Sequence, residues 1–199
     1  AITSAMAAAF AGAGLPSPSR AEILSIVGLS LPLAMAELAG EQPADVQAVL
    51  VEGYKSAYKS ARLAAGAGHS PLYPGAAEVL AELNAVPEYL LGVATGKSQR
   101  GLDALIEAHE LRCFVTRQCA DHHPSKPHPS MVLRAMAETG VRPEDTVMIG
   151  DTSFDIDMGR AAGVRTIAVD WGFHPAERLG ADHIIKSFGE LAPLLRNTW

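Results

Sequence analysis

Residues 147–159 read VMIGDTSFDIDMG, and this stretch joins an apolar run to a cluster of acids. Three carboxylates, Asp151, Asp155 and Asp157, fall within seven residues directly after the apolar run. Neighbouring carboxylates raise one another's pKa unless a cation neutralises them. The stretch therefore predicts a buried strand, a turn and the start of a helix, with a cation held where the strand ends.

Outward from this stretch, the chain divides into two kinds of sequence. Residues 1–70 are helical in pattern throughout and predict a small bundle of about four helices, including a capping box at Ser19 and Glu22. From residue 71 to residue 199, apolar runs alternate with amphipathic helices, which is typical of a parallel sheet covered on both faces. The predicted strands are YLLGVAT, CFVTRQ, TVMIGD, RTIAVDWG and DHIIKSF. We therefore expect an all-helical domain at 1–70 and an α/β core at 71–199.

The amino-acid composition and net charge limit the class of protein and the kinds of partner that this chain can have. Hydrophobic residues make up 48% of the 199 residues and charged residues 19%, as in a folded globular chain. The formal net charge of −6 argues against nucleic acid or an anionic membrane as the main partner. Cys113 and Cys119 have neither zinc-site spacing nor a disulfide pattern, so a reducing cytoplasm is expected. A monomer and a homodimer are both compatible with the sequence.

Functional side chains follow three of the predicted strands. Thr95 and Gly96 follow YLLGVA, Lys126 lies in the loop after the next strand, and Asp151 ends TVMIG, with Asp155 close behind. In open parallel sheets, ligands bind at the carboxyl ends of the strands. A hydroxyl, an ammonium group and paired carboxylates are therefore expected at one rim of the sheet.

These residue types together suit the chemistry of phosphoryl groups. Carboxylates with no His or Cys in their pattern select a hard cation, and Mg²⁺ is the usual choice. Thr95 can offer a hydroxyl, and Gly96 a closely approaching backbone N–H, to an anionic oxygen. Lys126 adds a positive charge for the same anion. Such a set of groups stabilises the charge of a phosphoryl group during transfer.

The order of these motifs resembles that of the haloacid dehalogenase superfamily. Thr95 after an apolar strand, Lys126 in S-K-P and the G-D-x-x-x-D of residues 150–155 carry the resemblance. The stretches KPHPSMVLRAMAETG and MIGDTSFDIDMGRAAG are most similar to its phosphoglycolate-phosphatase-like branch. The resemblance implies a Rossmannoid three-layer core with a helical cap. It also implies a Mg²⁺-dependent phosphatase of small phosphorylated metabolites that forms an aspartyl-phosphate intermediate.

The resemblance also implies a role for each matching residue. Thr95 and Gly96 would bind the transferring phosphoryl group, and Lys126 would neutralise it and its covalent partner. Asp151 would bind Mg²⁺ directly, and Asp155 would hold the ion through water or orient its ligands. The family's nucleophile and acid/base aspartates belong to a D-x-D-G-T stretch on its first strand. That stretch is expected upstream of Ala1.

Several alternatives stay open at this point. A sugar phosphomutase shares these motifs, a dehalogenase needs no metal, and a non-catalytic phosphate- or metal-binding module follows if Ala1 is the true start. Asp151 and Asp155 could instead be a helix N-cap and a first-turn acid. Asp157 is expected to be a solvated helix residue. Three histidines in the loop that contains Lys126 are expected to be exposed, namely His122, His123 and His128.

Overall fold

A computed structural model describes residues 1–198 and separates the chain into two compact units. The first unit is Ala1–Pro71 and contains only helices, and the second begins at Leu72 and contains every strand. The second unit alternates strands with helices, and every strand pairing in it is parallel. The predicted fold class, an α/β core with an additional helical part, is confirmed.

The helical unit has a core of its own. Its helices are α1 (Ile2–Gly12), α2 (Arg20–Ser25), α3 (Leu31–Leu38) and α4 (Ala44–Ala65). Met6, Met35 and Leu50 are fully buried where these helices meet. The predicted capping box is present, because Glu22 N donates to Ser19 Oγ (3.2 Å) and Ser19 N donates to Glu22 Oε2 (2.7 Å). Among residues 1–198, no helix is long and apolar enough to cross a membrane.

The strands of the second unit form two hydrogen-bonded groups. They are β1 (Leu91–Thr95), β2 (Phe114–Cys119), β3 (Val147–Gly150), β4 (Arg165–Val169) and β5 (His183–Ile185). One group has the order β1-β2 and the other the order β3-β4-β5. Within the described chain, β1 and β3 therefore each pair with a single strand, so each has one open edge. All the strands predicted from the sequence are present.

Helices cover both faces of these strands. They are α5 (Ala76–Asn84), α6 (Gln99–Ala108), α7 (Ser130–Thr139), α8 (Ser153–Ala161) and α9 (Leu191–Thr198). Leu91 and Ile149 pack against a hydrophobic cluster that includes residues of α5 and α9. Ala94 and Met148 pack against the cluster formed by α7 and α8. The alternation of side chains along β1 and β3 thus gives three layers, helix, sheet and helix.

A substitution in the helical unit tests how much its core contributes. Leu50 is fully buried in α4, whereas Val49 beside it is 57% exposed. We expect Leu50→Ala to lower the free energy of unfolding by about 2–5 kcal/mol, because it leaves a cavity. We expect Val49→Ala to change it by less than about 0.5 kcal/mol. Urea denaturation followed by circular dichroism measures both, and equal losses would contradict the assigned core.

Candidate active site

The turn after β3 is held by a capping box that contains an aspartate. Asp155 N donates to Thr152 Oγ1 (3.3 Å), so Thr152 is the N-cap of α8. In return, Asp155 Oδ2 accepts hydrogen bonds from Thr152 N (3.2 Å), Thr152 Oγ1 (2.8 Å) and Asp151 N (3.3 Å). One oxygen of Asp155 is thus occupied in fixing the turn. The alternative in which Asp151 is the N-cap is wrong, because Thr152 fills that position.

The other oxygen of Asp155 forms a buried ion pair with Lys126. Lys126 Nζ donates to Asp155 Oδ1 (2.6 Å) and to the carbonyl oxygen of Ala94 in β1 (2.9 Å). The two side chains are only 6% and 7% exposed, so water screens the pair little. An ammonium group has three N–H donors, and the third N–H of Lys126 has no acceptor within residues 1–198. The lysine therefore joins the end of β1 to the start of α8 and keeps one donor available.

Asp151 directly follows β3 and is held by the segment after β4. Its Oδ2 accepts a hydrogen bond from Phe173 N (3.0 Å), and its carbonyl oxygen accepts one from His174 N (3.1 Å). No other residue in the described part of the chain donates to Oδ1. Asp151 thus presents one carboxylate oxygen that is free to bind a ligand.

The surroundings of Asp151 disfavour its negative charge. Burial raises the pKa of the Asp151 carboxyl above its ordinary value, and the nearby Asp155 carboxylate raises it further. The N–H of Phe173 and the charge of Lys126 act in the opposite direction and lower this pKa. A carboxylate in this situation is stabilised by a cation that binds its free oxygen.

Two glycines provide the space that the two aspartates occupy. A Cβ atom on Gly150 would lie 2.3 Å from Asp155 Cβ, and one on Gly172 would lie 2.1 Å from Asp151 Cβ. Both distances are far shorter than any contact between carbon atoms. The positions of the carboxylates therefore depend on glycine at 150 and at 172.

Thr95 lies at the carboxyl end of β1, next to the carbonyl group that binds Lys126. Its Oγ1 accepts a hydrogen bond from Lys97 N (3.2 Å), so its hydroxyl proton is still available for donation. Gly96 is half-buried in the turn that follows. Hydrogen bonds of the described residues do not link Gly96 to Lys126 or to either aspartate. The structure thus brings Lys126, Asp155 and Asp151 together directly, with Thr95 adjoining them in sequence.

His174 was not singled out by the sequence, yet it contacts the same turn. Its Nδ1 accepts a hydrogen bond from Ser153 N (3.1 Å), so in the neutral ring Nε2 carries the proton. The ring packs edge-on against Phe154, with 5.7 Å between ring centroids. Nε2 is buried and has no partner among the described residues. A buried donor without an acceptor costs free energy, so a group that accepted this bond would be stabilised here.

The expected exposure of the other polar residues near the site is confirmed for some of them and wrong for one. Asp157 is exposed and pairs with Arg160, as expected of a solvated helix residue. His122 and His128 are exposed, as expected. The same expectation is wrong for His123, which is half-buried and has hydrogen bonds at both ring nitrogens. Local sequence does not distinguish His123 from its neighbours, because its hydrogen-bond partners lie on other elements.

Curated relatives align with much of the chain. A Dickeya dadantii protein named "Probable phosphatase IndB" is 32% identical over 197 residues, which cover 96% of this chain and 84% of that protein. A phosphoglycolate phosphatase of Chromobacterium violaceum is 35% identical over 133 residues, covering 66% of this chain and 60% of the relative. Six further curated relatives, named as phosphatases or pyrophosphatases, are matched over 51–59% of their length.

Solved structures and the family profile point the same way. A haloacid dehalogenase-like family hydrolase from Streptococcus pneumoniae superposes with a TM-score of 0.80 at 25% identity. The superposition covers 96% of this chain and 89% of that one. The profile described as "Haloacid dehalogenase-like hydrolase" matches residues 1–169, which include all four motif residues from Thr95 to Asp155. The resemblance seen in the sequence is thereby confirmed, and the chain belongs to the haloacid dehalogenase-like hydrolase family.

Proposed function

We propose that this chain is part of a Mg²⁺-dependent phosphatase that hydrolyses a small phosphorylated metabolite, of a size and charge like phosphoglycolate. The observation that carries the proposal is the set of groups left available at the rim. They are one N–H of Lys126, the hydroxyl proton of Thr95 and Oδ1 of Asp151. The names of three relatives support the same class of reaction: one is a probable phosphatase, and two are phosphatases of phosphoglycolate and of N-acetylmuramic acid 6-phosphate.

In this proposal, Lys126 and Thr95 bind the anionic oxygens of the phosphoryl group. Asp155 and the Ala94 carbonyl fix the ammonium group before any substrate arrives, so little reorganisation is needed when charge develops. Thr95 donates its hydroxyl proton to a second oxygen. Because the lysine side chain is almost fully buried, its charge acts with little screening by water.

The acids of the rim fit a Mg²⁺ ion that keeps most of its ligands as water or substrate oxygen. Asp151 offers a single open oxygen, and the described residues contain no cluster of three acidic, His or Cys side chains that would enclose a metal. Both oxygens of Asp155 are occupied, so Asp155 would act by orienting the turn rather than as a direct ligand. When bound, the ion would neutralise negative charge on the phosphoryl oxygens.

The nucleophile in this proposal is an aspartate on an additional strand. Parallel strands lie about 4.8 Å from their neighbours, and β1 and β3 each have one open edge that could accept such a strand. The carboxyl end of a strand between them would lie beside Lys126, which contacts both β1 and the start of α8. The aspartate would attack phosphorus as the ester P–O bond breaks, and a second acid would protonate the departing alcohol. Water would then attack the aspartyl phosphate, releasing inorganic phosphate and regenerating the aspartate. A cytoplasmic location suits the two cysteines, both of which are free.

Replacing the lysine tests the reaction. In the full natural polypeptide, we expect Lys126→Met to lower kcat for phosphate release by about 100-fold or more, because the phosphoryl charge loses its buried counter-charge. Lys186→Met, an exposed lysine of the same unit, is the matched control and should retain normal turnover. The assay measures inorganic phosphate released from phosphoglycolate and related esters, and circular dichroism reports whether each variant is folded.

Three outcomes would contradict the proposal in different ways. A folded Lys126→Met variant with normal turnover would exclude the role of the lysine. Isomerised sugar phosphate without phosphate release would indicate a phosphomutase. Bound but unreacted phosphate esters would indicate a binding module.

Replacing Asp151 tests the metal site without any assay of activity. Because its pKa is raised from 3.8, the ionised carboxylate destabilises the metal-free fold once the pH rises through the pKa of the folded state. At pH 7 without metal, Asp151→Asn should therefore raise Tm. Mg²⁺ at 100 times its Kd should stabilise the wild type by about 2.7 kcal/mol and leave Asp151→Asn unchanged.

Asp157→Asn is the matched control for this experiment, because Asp157 is exposed on α8, the helix that begins just after Asp151. It should respond to Mg²⁺ as the wild type does. An equal Mg²⁺ response of Asp151→Asn, measured by thermal unfolding in EDTA and in Mg²⁺, would exclude Asp151 as a ligand.

A further inference from the structure

His123 lies in the loop that carries Lys126 and is joined to elements on both sides of that loop. We call residues 120–129 the lysine loop, since they connect β2 to α7. His123 Nε2 contacts Gln118 Oε1 of β2 at 2.8 Å, and Nδ1 contacts Ser130 Oγ at the start of α7 at 2.8 Å. One side chain therefore connects the strand before the loop to the helix after it.

The hydrogen bonds of Gln118 determine the tautomer of His123. The amide nitrogen of Gln118 donates to Thr116 Oγ1 (2.7 Å) and to Glu138 Oε2 (2.8 Å), so its oxygen is the atom that faces the imidazole. An amide oxygen can only accept, so His123 Nε2 must carry a proton. In the neutral ring, Nδ1 then accepts from the hydroxyl of Ser130.

The donors of this network run in one direction and end at a carboxylate. Ser130 donates to His123, His123 to Gln118, and Gln118 to Thr116 and Glu138. Thr116 Oγ1 in turn donates to Glu138 Oε2 at 2.7 Å. Gln118 and Thr116 are each only 5% exposed, so a broken bond would leave buried polar atoms unsatisfied. The network is thus a rigid attachment for the lysine loop.

We infer that His123 is a positioning residue, which as a neutral Nε2–H imidazole fixes the lysine loop so that the Lys126 ammonium reaches the rim. Lys126 follows His123 by three residues and must hold its ammonium between Ala94 and Asp155 while almost fully buried. The importance of His123 for turnover rests on the proposed function, but the effect of His123 on the position of Lys126 does not.

Charged and titratable groups around His123 are compatible with a neutral ring. Burial lowers the pKa of His123, and the charges of His122, Arg134 and His128 lower it further, whereas Glu138 raises it. Arg134 also donates to Glu138 Oε1 (2.8 Å), which keeps that carboxylate turned toward the network. The neutral form required by the hydrogen bonds is therefore favoured at neutral pH.

Nuclear magnetic resonance of the full protein tests the inference directly. In ¹⁵N-labelled wild type at pH 7, the His123 ring should give the signature of a protonated Nε2 and an unprotonated Nδ1. The Lys126 ammonium should exchange slowly with water, and in His123→Ala this exchange should be faster by roughly tenfold or more, because the loop opens locally. An Nδ1–H tautomer, or unchanged Lys126 exchange in a folded His123→Ala, would overturn the proposal.

Matched variants separate positioning from a general loss of fold. His122→Ala, at the exposed neighbouring position, should leave the Lys126 exchange unchanged. His123→Gln can still donate to Gln118, so it should restore slow exchange in part, and it remains informative if His123→Ala does not fold. Wild-type exchange of Lys126 in Ser130→Ala, which lacks the hydroxyl that His123 Nδ1 contacts, would also overturn the proposal.

Turnover gives an independent measurement where the protein is active. His123→Ala should lower kcat by roughly 10- to 100-fold, since small displacements of a catalytic group have effects of this size. His122→Ala should not change kcat. If no variant or wild type hydrolyses phosphate esters, the proposed function fails, while the exchange of Lys126 still decides the role of His123.

Discussion

The buried ion pair between Lys126 and Asp155 is the contact on which the rest of the site depends. A buried charge is tolerated only if a partner and hydrogen bonds satisfy it, and here both conditions are met. Asp155 shares its two oxygens between the lysine and the turn at Asp151 and Thr152. The same carboxylate therefore fixes the start of α8, the backbone at Asp151 and the position of the ammonium. Removing it would disturb all three features together.

Much of the fold was predictable from the sequence because it follows from local pattern. The strands have continuous apolar runs, and Ser19 with Glu22 has the spacing of a capping box, so local sequence predicts both features. The candidate site was predictable in part for a different reason. Thr95, Lys126 and Asp151 follow strand ends in a fixed order, and parallel strands bring their ends to one rim. Their individual roles remain predictions.

What the sequence did not reveal depends on contacts between distant elements. Asp155 was expected near a metal, but its oxygens are engaged by Lys126 and by the turn, which only the packing of separate loops determines. His123 could not be distinguished from its neighbour His122, because its partners lie on β2 and α7. A hydrogen-bond network has no periodicity, so a pattern of hydrophobic and polar residues does not encode it. The sequence consequently predicts which residues form the site better than it predicts the hydrogen bonds between them.

The glycines at 150 and 172 have a consequence for how motifs of this kind are recognised. The acids supply the chemistry, but each occupies volume that a methyl group on the facing glycine would fill. Gly150 is the first residue of the motif, whereas Gly172 belongs to a different segment more than twenty residues later. A search that scores only the acidic letters would accept a chain with alanine at residue 172. Such a chain would contain both aspartates of the motif. The Asp151 side chain, however, could not adopt the conformation seen here, because the alanine methyl group would occupy its place.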